Sequence, residues 1–196
     1  MATGATMMRR LFNRVFGLAR APRELFLHED DWGQIEVLPA ACAAWCAAEI
    51  ARIDRFARDH ASPDGAGWTD LYIRSAAPVA LESVRIPFDA AANVIGARLP
   101  AFEIVSSGTF SSPEPVPHVR GFGPAASTGV VLVGDKTRAH VAMITLVLYG
   151  TPNEQREVLH ALVHLPSSAP LLLVDWSRGH IVPLGDRNAI ARYVDA

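Results

Sequence analysis

VVLVGDKTRAHVAMITLVLYGTPNEQREVLHALVHLPSSAPLLLVDWSRGHIVPL, residues 130–184, decides the fold. It begins with two apolar runs, Val130–Gly134 and His140–Tyr149, joined by Asp135-Lys136-Thr137. Apolar runs bounded by turn residues read as a hairpin. The second arm is apolar on both faces, which predicts a central strand. Thr151-Pro152-Asn153-Glu154 then starts a helix to about Leu165. Thr151 can cap it, Pro152 suits the first helical position and Glu154 closes a capping box. A second hairpin, Leu171–Trp176 with Ile181–Leu184, turns at Ser177-Arg178-Gly179, and a short helix near Asp186–Val194 ends the chain.

Upstream, Glu24–His28 and Gln34–Leu38 read as strands around His28-Glu29-Asp30-Asp31-Trp32-Gly33. Residues 40–60 form the clearest helix. Cys42, Trp45, Cys46, Ile50, Ile53, Phe56 and Ala57 recur at spacings of three and four, with charged residues outside that stripe. Trp68–Arg74 alternates like a strand, Val79–Phe88 reads as another, and Asp89–Ile95 as a short helix. Phe102–Ser106 is a further strand. Ser106–Thr128 is rich in Ser, Pro and Gly and reads as a long loop, of the kind that carries function or disorder. Strands outnumber helices and mostly lack helical crossovers. The expected fold is therefore α+β, a largely antiparallel sheet with helices packed on one face.

A chain of 196 residues suits one domain, here 21–196, whose core needs no disulfide or metal staple. Residues 1–20 form a basic tail or peripheral helix. Arg9, Arg10, Arg14, Arg20 and Arg23 meet no acid in the first 23 residues, while the rest of the chain carries an acidic excess. The arginines interrupt the apolar centre that a signal peptide needs. The net charge of −2 argues against a nucleic-acid binder. No apolar run reaches the roughly 20 residues that span a bilayer. Lys136 is the single lysine among 18 basic residues, a bias expected of a GC-rich bacterial genome. Cys42 and Cys46, four apart on a helix, are poorly placed to bridge and read as reduced thiols, as in the cytoplasm.

The catalytic motifs resolve into structural readings. His160 and His164 have metalloprotease spacing, but Ala161 stands where the catalytic Glu belongs. Both histidines fall opposite the apolar face of their helix, and Cys42 and Cys46 lie on the core side of theirs, so no metal site and no cofactor is expected. Gly121-Phe122-Gly123-Pro124-Ala125-Ala126 matches a loose dinucleotide pattern without the strand before it or the helix after it. What stands out is Glu29, Asp30, Asp31 and Trp32. Three carboxylates resist burial, and a tryptophan beside charge on a turn has the composition of a binding hot spot. These four residues are the expected partner-binding surface, facing a basic protein. The competing reading turns Trp32 inward as an anchor. His118 and Arg120 are weaker candidates for an anionic ligand.

Two segments, LFLHEDDWGQIEVLP (25–39) and LLLVDWSRGHIVPLGDRNAIARYV (171–194), resemble small bacterial immunity proteins of polymorphic toxin systems. That resemblance implies a cytoplasmic, non-catalytic α+β protein that masks a partner's active surface. The alternative is a small enzyme with a carboxylate-based site, for which Glu49 and Glu29–Asp31 are the first candidates.

Overall fold

The structure is a computed structural model that describes residues 21–196. The reading of residues 1–20 lies outside the described residues.

The protein is α+β, and its sheets are mostly antiparallel. In chain order the elements are β1 (Glu24–His28), β2 (Ile35–Pro39), α1 (Ala43–Asp59), α2 (Phe88–Gly96), β3 (Ile104–Thr109), β4 (Ser112–Pro115), β5 (Val119–Ala125), β6 (Thr128–Gly134), β7 (Val141–Leu148), α3 (Pro152–Leu162), β8 (Leu171–Asp175), β9 (His180–Pro183) and α4 (Arg187–Val194). A six-stranded antiparallel sheet runs β5-β6-β7-β2-β8-β9, and a three-stranded sheet runs β1-β3-β4. Within the smaller sheet β1 and β3 are parallel, with Leu25 opposite Val105 and Leu27 opposite Ser107.

The 130–184 reading holds locally. Residues 135–140 turn β6 into β7, and the Asp135 carboxylate accepts hydrogen bonds from the N–H groups of Thr137 and Ala139. Thr151 and Glu154 close the capping box of α3, and the Thr151 N–H donates to the Glu154 carboxylate at 2.7 Å. Asp186 caps α4 by accepting from the N–H groups of Asn188 and Ala189. Alternation along the large sheet sorts its side chains. Val37, Val130, Leu132, Ile144, Leu146, Leu171 and Leu173 face one core, which α2, α3 and α4 cover. On the opposite face Val131 and Val147 pack under Leu25, Leu27, Phe102 and Val105 of the small-sheet layer. Leu172, Val174 and Trp176 pack there under Cys42, Cys46, Trp45 and Ile50. Three helices thus share one face, while the longest, α1, shields the other.

Four local expectations change. β1 and β2 are not a hairpin: they belong to different sheets, and the 28–33 turn carries the chain between layers. Residues 106–128 are not a loop but hold most of β3, all of β4 and β5, and the bends between them. The prolines of β4 sit in an exposed edge strand, where a missing N–H is tolerated. Residues 79–88 form a 3-10 turn, Leu81–Val84, followed by the start of α2, rather than a strand. Residues 71–77 carry no regular secondary structure and pair with no strand. No helix among the described residues is long and apolar enough to cross a membrane.

Candidate functional site

The 28–32 turn is rigid because its own polar groups close it. The His28 side chain accepts from the Asp30 N–H at 3.3 Å, and Asp31 accepts from the His28 N–H at 3.0 Å. Gly33 follows at φ +71°, a left-handed conformation in which a side chain would be strained. Its N–H donates to the Thr145 hydroxyl. Of the four residues singled out by sequence, Glu29 and Asp30 are exposed, whereas Asp31 and Trp32 are half-buried. The Trp32 indole packs against the cluster of Leu25, Leu27, Phe102 and Val105. Its Nε1–H donates to Ser107 Oγ at 2.6 Å, locking the turn to β3.

The exposed aromatic surface comes from two residues that sequence reasoning missed. Phe110, at the β3–β4 bend, is 83 % exposed, and its ring centroid lies 5.2 Å from that of His28 and 5.3 Å from that of Phe26. Tyr149, just after β7, is 73 % exposed and donates its hydroxyl to Asp31 at 2.7 Å. That bond, helped by burial of the hydroxyl, pushes the Tyr149 phenol up to about 12, so it remains a donor at neutral pH. Phe110 therefore lies against the start of the acidic turn, at His28, and Tyr149 is bound to its end, at Asp31. The available signal was an aromatic stranded in a polar turn: Phe110 among Thr109, Ser111 and Ser112, and Tyr149 before Gly150-Thr151-Pro152.

No protein-family model matches the chain, and neither does any curated protein or solved structure. Its chemistry is read from its own residues.

The weaker candidates separate. Arg120 lines a cleft of about 740 Å³ with Asn93, Glu103, Phe102 and Val116. Its guanidinium already pairs with Asp89 at 3.2 Å and lies over the Phe88 ring. His118 does not join that cleft. It sits exposed at φ +60° in the bend before β5, where its carbonyl accepts from the Gly134 N–H. His160 is exposed on α3 and His164 is exposed just past its end, while Cys42, at the start of α1, and Cys46, within it, are buried.

Glu49 is wholly buried on α1. Burial opposes its ionisation, but hydrogen bonds from Arg52, the Tyr72 hydroxyl (3.0 Å) and the Ser75 N–H outweigh it and hold the carboxyl below its usual range. These partners fasten residues 72–75 to α1, so the carboxylate's visible work is structural. A carboxyl with a lowered folded-state value contributes stability that is complete above its unfolded value, near 4.5, and is lost as pH falls through the folded one. Glu49→Gln is therefore expected to lower stability at neutral pH and to flatten the decline of stability with acid. Urea unfolding between pH 3 and 7 measures this, and an acid limb as steep as that of the wild type would contradict it.

Proposed function

We propose that this chain is a non-enzymatic protein-binding domain whose acidic turn, Glu29–Asp31, and flanking rings, Phe110 and Tyr149, receive a basic protein partner. The observation that carries the reading is the placement of two strongly exposed aromatic rings against a self-bonded carboxylate turn, one at His28 and one at Asp31. Aromatic rings supply contact area at small entropic cost, and a prefixed turn loses little freedom on binding. Carboxylates at the rim steer a basic partner and speed encounter. Trp32 belongs to this surface as its foundation rather than its contact. The resemblance of residues 25–39 and 171–194 to bacterial toxin-immunity proteins fits the same reading. The partner would then be a toxin whose active surface is masked in the cytoplasm. The deep attachment of Glu49 to Arg52, Tyr72 and Ser75 supports a scaffold role for the carboxylate that an enzymatic reading would rely on.

The test is to cross-link the protein in its source cells, identify the captured partner, and titrate the purified partner against wild type and Phe110→Ala/Tyr149→Ala. The proposal expects a basic partner whose affinity falls in the variant. A partner that binds both proteins equally would remove its basis.

A further inference from the structure

A groove of about 470 Å³ runs between α1 and residues 68–72. The 68–72 wall is fastened to the helix at two points. The Thr69 N–H donates to the His60 carbonyl, just past α1, at 2.8 Å, and the Tyr72 hydroxyl donates to Glu49 at 3.0 Å. The second bond commits the polar end of Tyr72 and leaves its ring to line the groove. Tyr72 and Phe56 make a corner there, with ring centroids 5.2 Å apart and planes tilted by 56°. Trp68 and Leu71 complete the apolar lining and are 67 % and 78 % exposed. Clustered apolar side chains left in water mark binding sites. Asp54 and Asp70 line the same groove, and neither is in an ion pair among the described residues. The Asp70 carboxylate is held by the Leu71 N–H at 2.8 Å. One cation already sits in this groove. The Arg74 guanidinium lies 4.3 Å over the Trp176 ring and is neutralised by Glu36 at 3.1 Å. A ring face and a carboxylate thus hold a positive charge here. Phe56, Tyr72 and Trp68, with Asp54 and Asp70, offer the same combination a second time.

We infer that this groove binds a small quaternary ammonium ligand. Ring faces attract a cation through their quadrupole, and the two carboxylates add attraction at longer range. The chemistry selects among cations. A primary ammonium is a compact, strongly hydrated charge, and exposed carboxylates return little for the water it would give up. A trimethylammonium head carries its charge beneath methyl groups, surrenders less water and buries apolar area against the rings. Directional hydrogen bonds contribute little, because polar groups of the lining are engaged elsewhere. The Trp176 Nε1–H donates to Glu36 at 2.8 Å, and the Ser177 hydroxyl donates to Asp175 at 2.7 Å. The two-point attachment of the 68–72 wall fixes the groove before binding, so little ordering is required of the protein. The groove lies on different residues from the acidic turn, so it does not depend on the proposed function.

Choline titrated into the isotope-labelled full-length protein tests this, followed by the indole N–H resonances. The expected result is saturable binding in the millimolar range or tighter, with a shift of the Trp68 signal. The uncharged analogue of choline, in which carbon replaces the nitrogen, should bind about tenfold or more weakly. Trp68→Ala should weaken choline binding about threefold or more. Asp54→Asn/Asp70→Asn should weaken it by a similar factor and remove most of its salt dependence. All three side chains are exposed, so the melting curves of these variants should match that of wild type. Equal affinity for choline and its uncharged analogue would overturn the inference and leave only an apolar groove. So would the absence of saturable choline binding, or choline binding that neither variant alters. Methylguanidinium bound more tightly than choline would also overturn it, since directional hydrogen bonds to the carboxylates would then select the ligand.

Discussion

Replacing Trp32 with alanine is expected to lower the unfolding free energy by about 2–3 kcal/mol, below the 3–5 typical of a fully buried aromatic because the ring is half-buried. The ring fills space against Leu25, Leu27, Phe102 and Val105, between the small sheet and the large one. Its loss leaves a gap that the two layers cannot both close. It also strands the Ser107 hydroxyl, which now accepts the indole N–H at 2.6 Å. Trp32→Phe separates the two contributions. It keeps most of the packing and loses the hydrogen bond, for about 1 kcal/mol. Phe110→Ala and Tyr149→Ala remove rings that are mostly in water and should change stability by less than about 1 kcal/mol. Urea titrations followed by far-UV circular dichroism give all four values. A Trp32→Ala protein as stable as wild type would mean that the ring is a surface contact after all.

The second large effect is expected at Gly123, where alanine should cost about 3 kcal/mol, at the upper end of what overpacking typically costs. A Cβ there would stand 2.2 Å from the Thr128 carbonyl oxygen, 2.7 Å from Gly129 Cα and 3.0 Å from the Phe102 ring. The first two are backbone atoms of the paired strand, so relief requires β5 and β6 to separate beside the bulge between Phe122 and Ala125. Gly121 differs. Its nearest obstacle, at 2.6 Å, is a methyl of Val105, which can move. Gly121→Ala should therefore cost less than Gly123→Ala. Gly185→Ala meets nothing within 4 Å and should be within about 0.5 kcal/mol of wild type. Equal effects at positions 123 and 185 would contradict the packing described. The Gly-Phe-Gly sequence that imitates a nucleotide-binding pattern thus has a plain cause, the close approach of β6 and Phe102 to β5.

These two positions mark the limit of what local sequence conveys. The helix over α1, the capping box at Thr151–Glu154 and the hairpins on either side of α3 are legible because their signals lie within a few residues of one another. The pairing of β1 with β3 joins Leu25 to Val105 across the chain, and nothing near residue 25 announces it. Strand β5 was hidden because the glycines that let Phe102 and β6 approach it are also loop formers. The direction of Trp32 depends on Ser107, 75 residues away, so composition identified the turn and misjudged which ring reaches solvent. Glu29 and Asp30 are exposed, as expected of carboxylates, which are costly to bury. Phe110 and Tyr149 escaped because each stands alone in its own segment, and only the fold brings them to the same turn.

The acidic turn and its two rings are the proposed partner-binding surface. Calorimetric titration of the captured partner into wild type, Phe110→Ala/Tyr149→Ala and Leu71→Ala/Ile73→Ala tests it most directly. The first double variant is predicted to lose about 2 kcal/mol or more of binding free energy, roughly thirtyfold in Kd, with its melting temperature preserved. The second, which alters the exposed residues beside α1, is predicted to bind like wild type. Full affinity in the Phe110→Ala/Tyr149→Ala protein, with the loss appearing instead in Leu71→Ala/Ile73→Ala, would contradict the claim and move the binding surface to the segment beside α1.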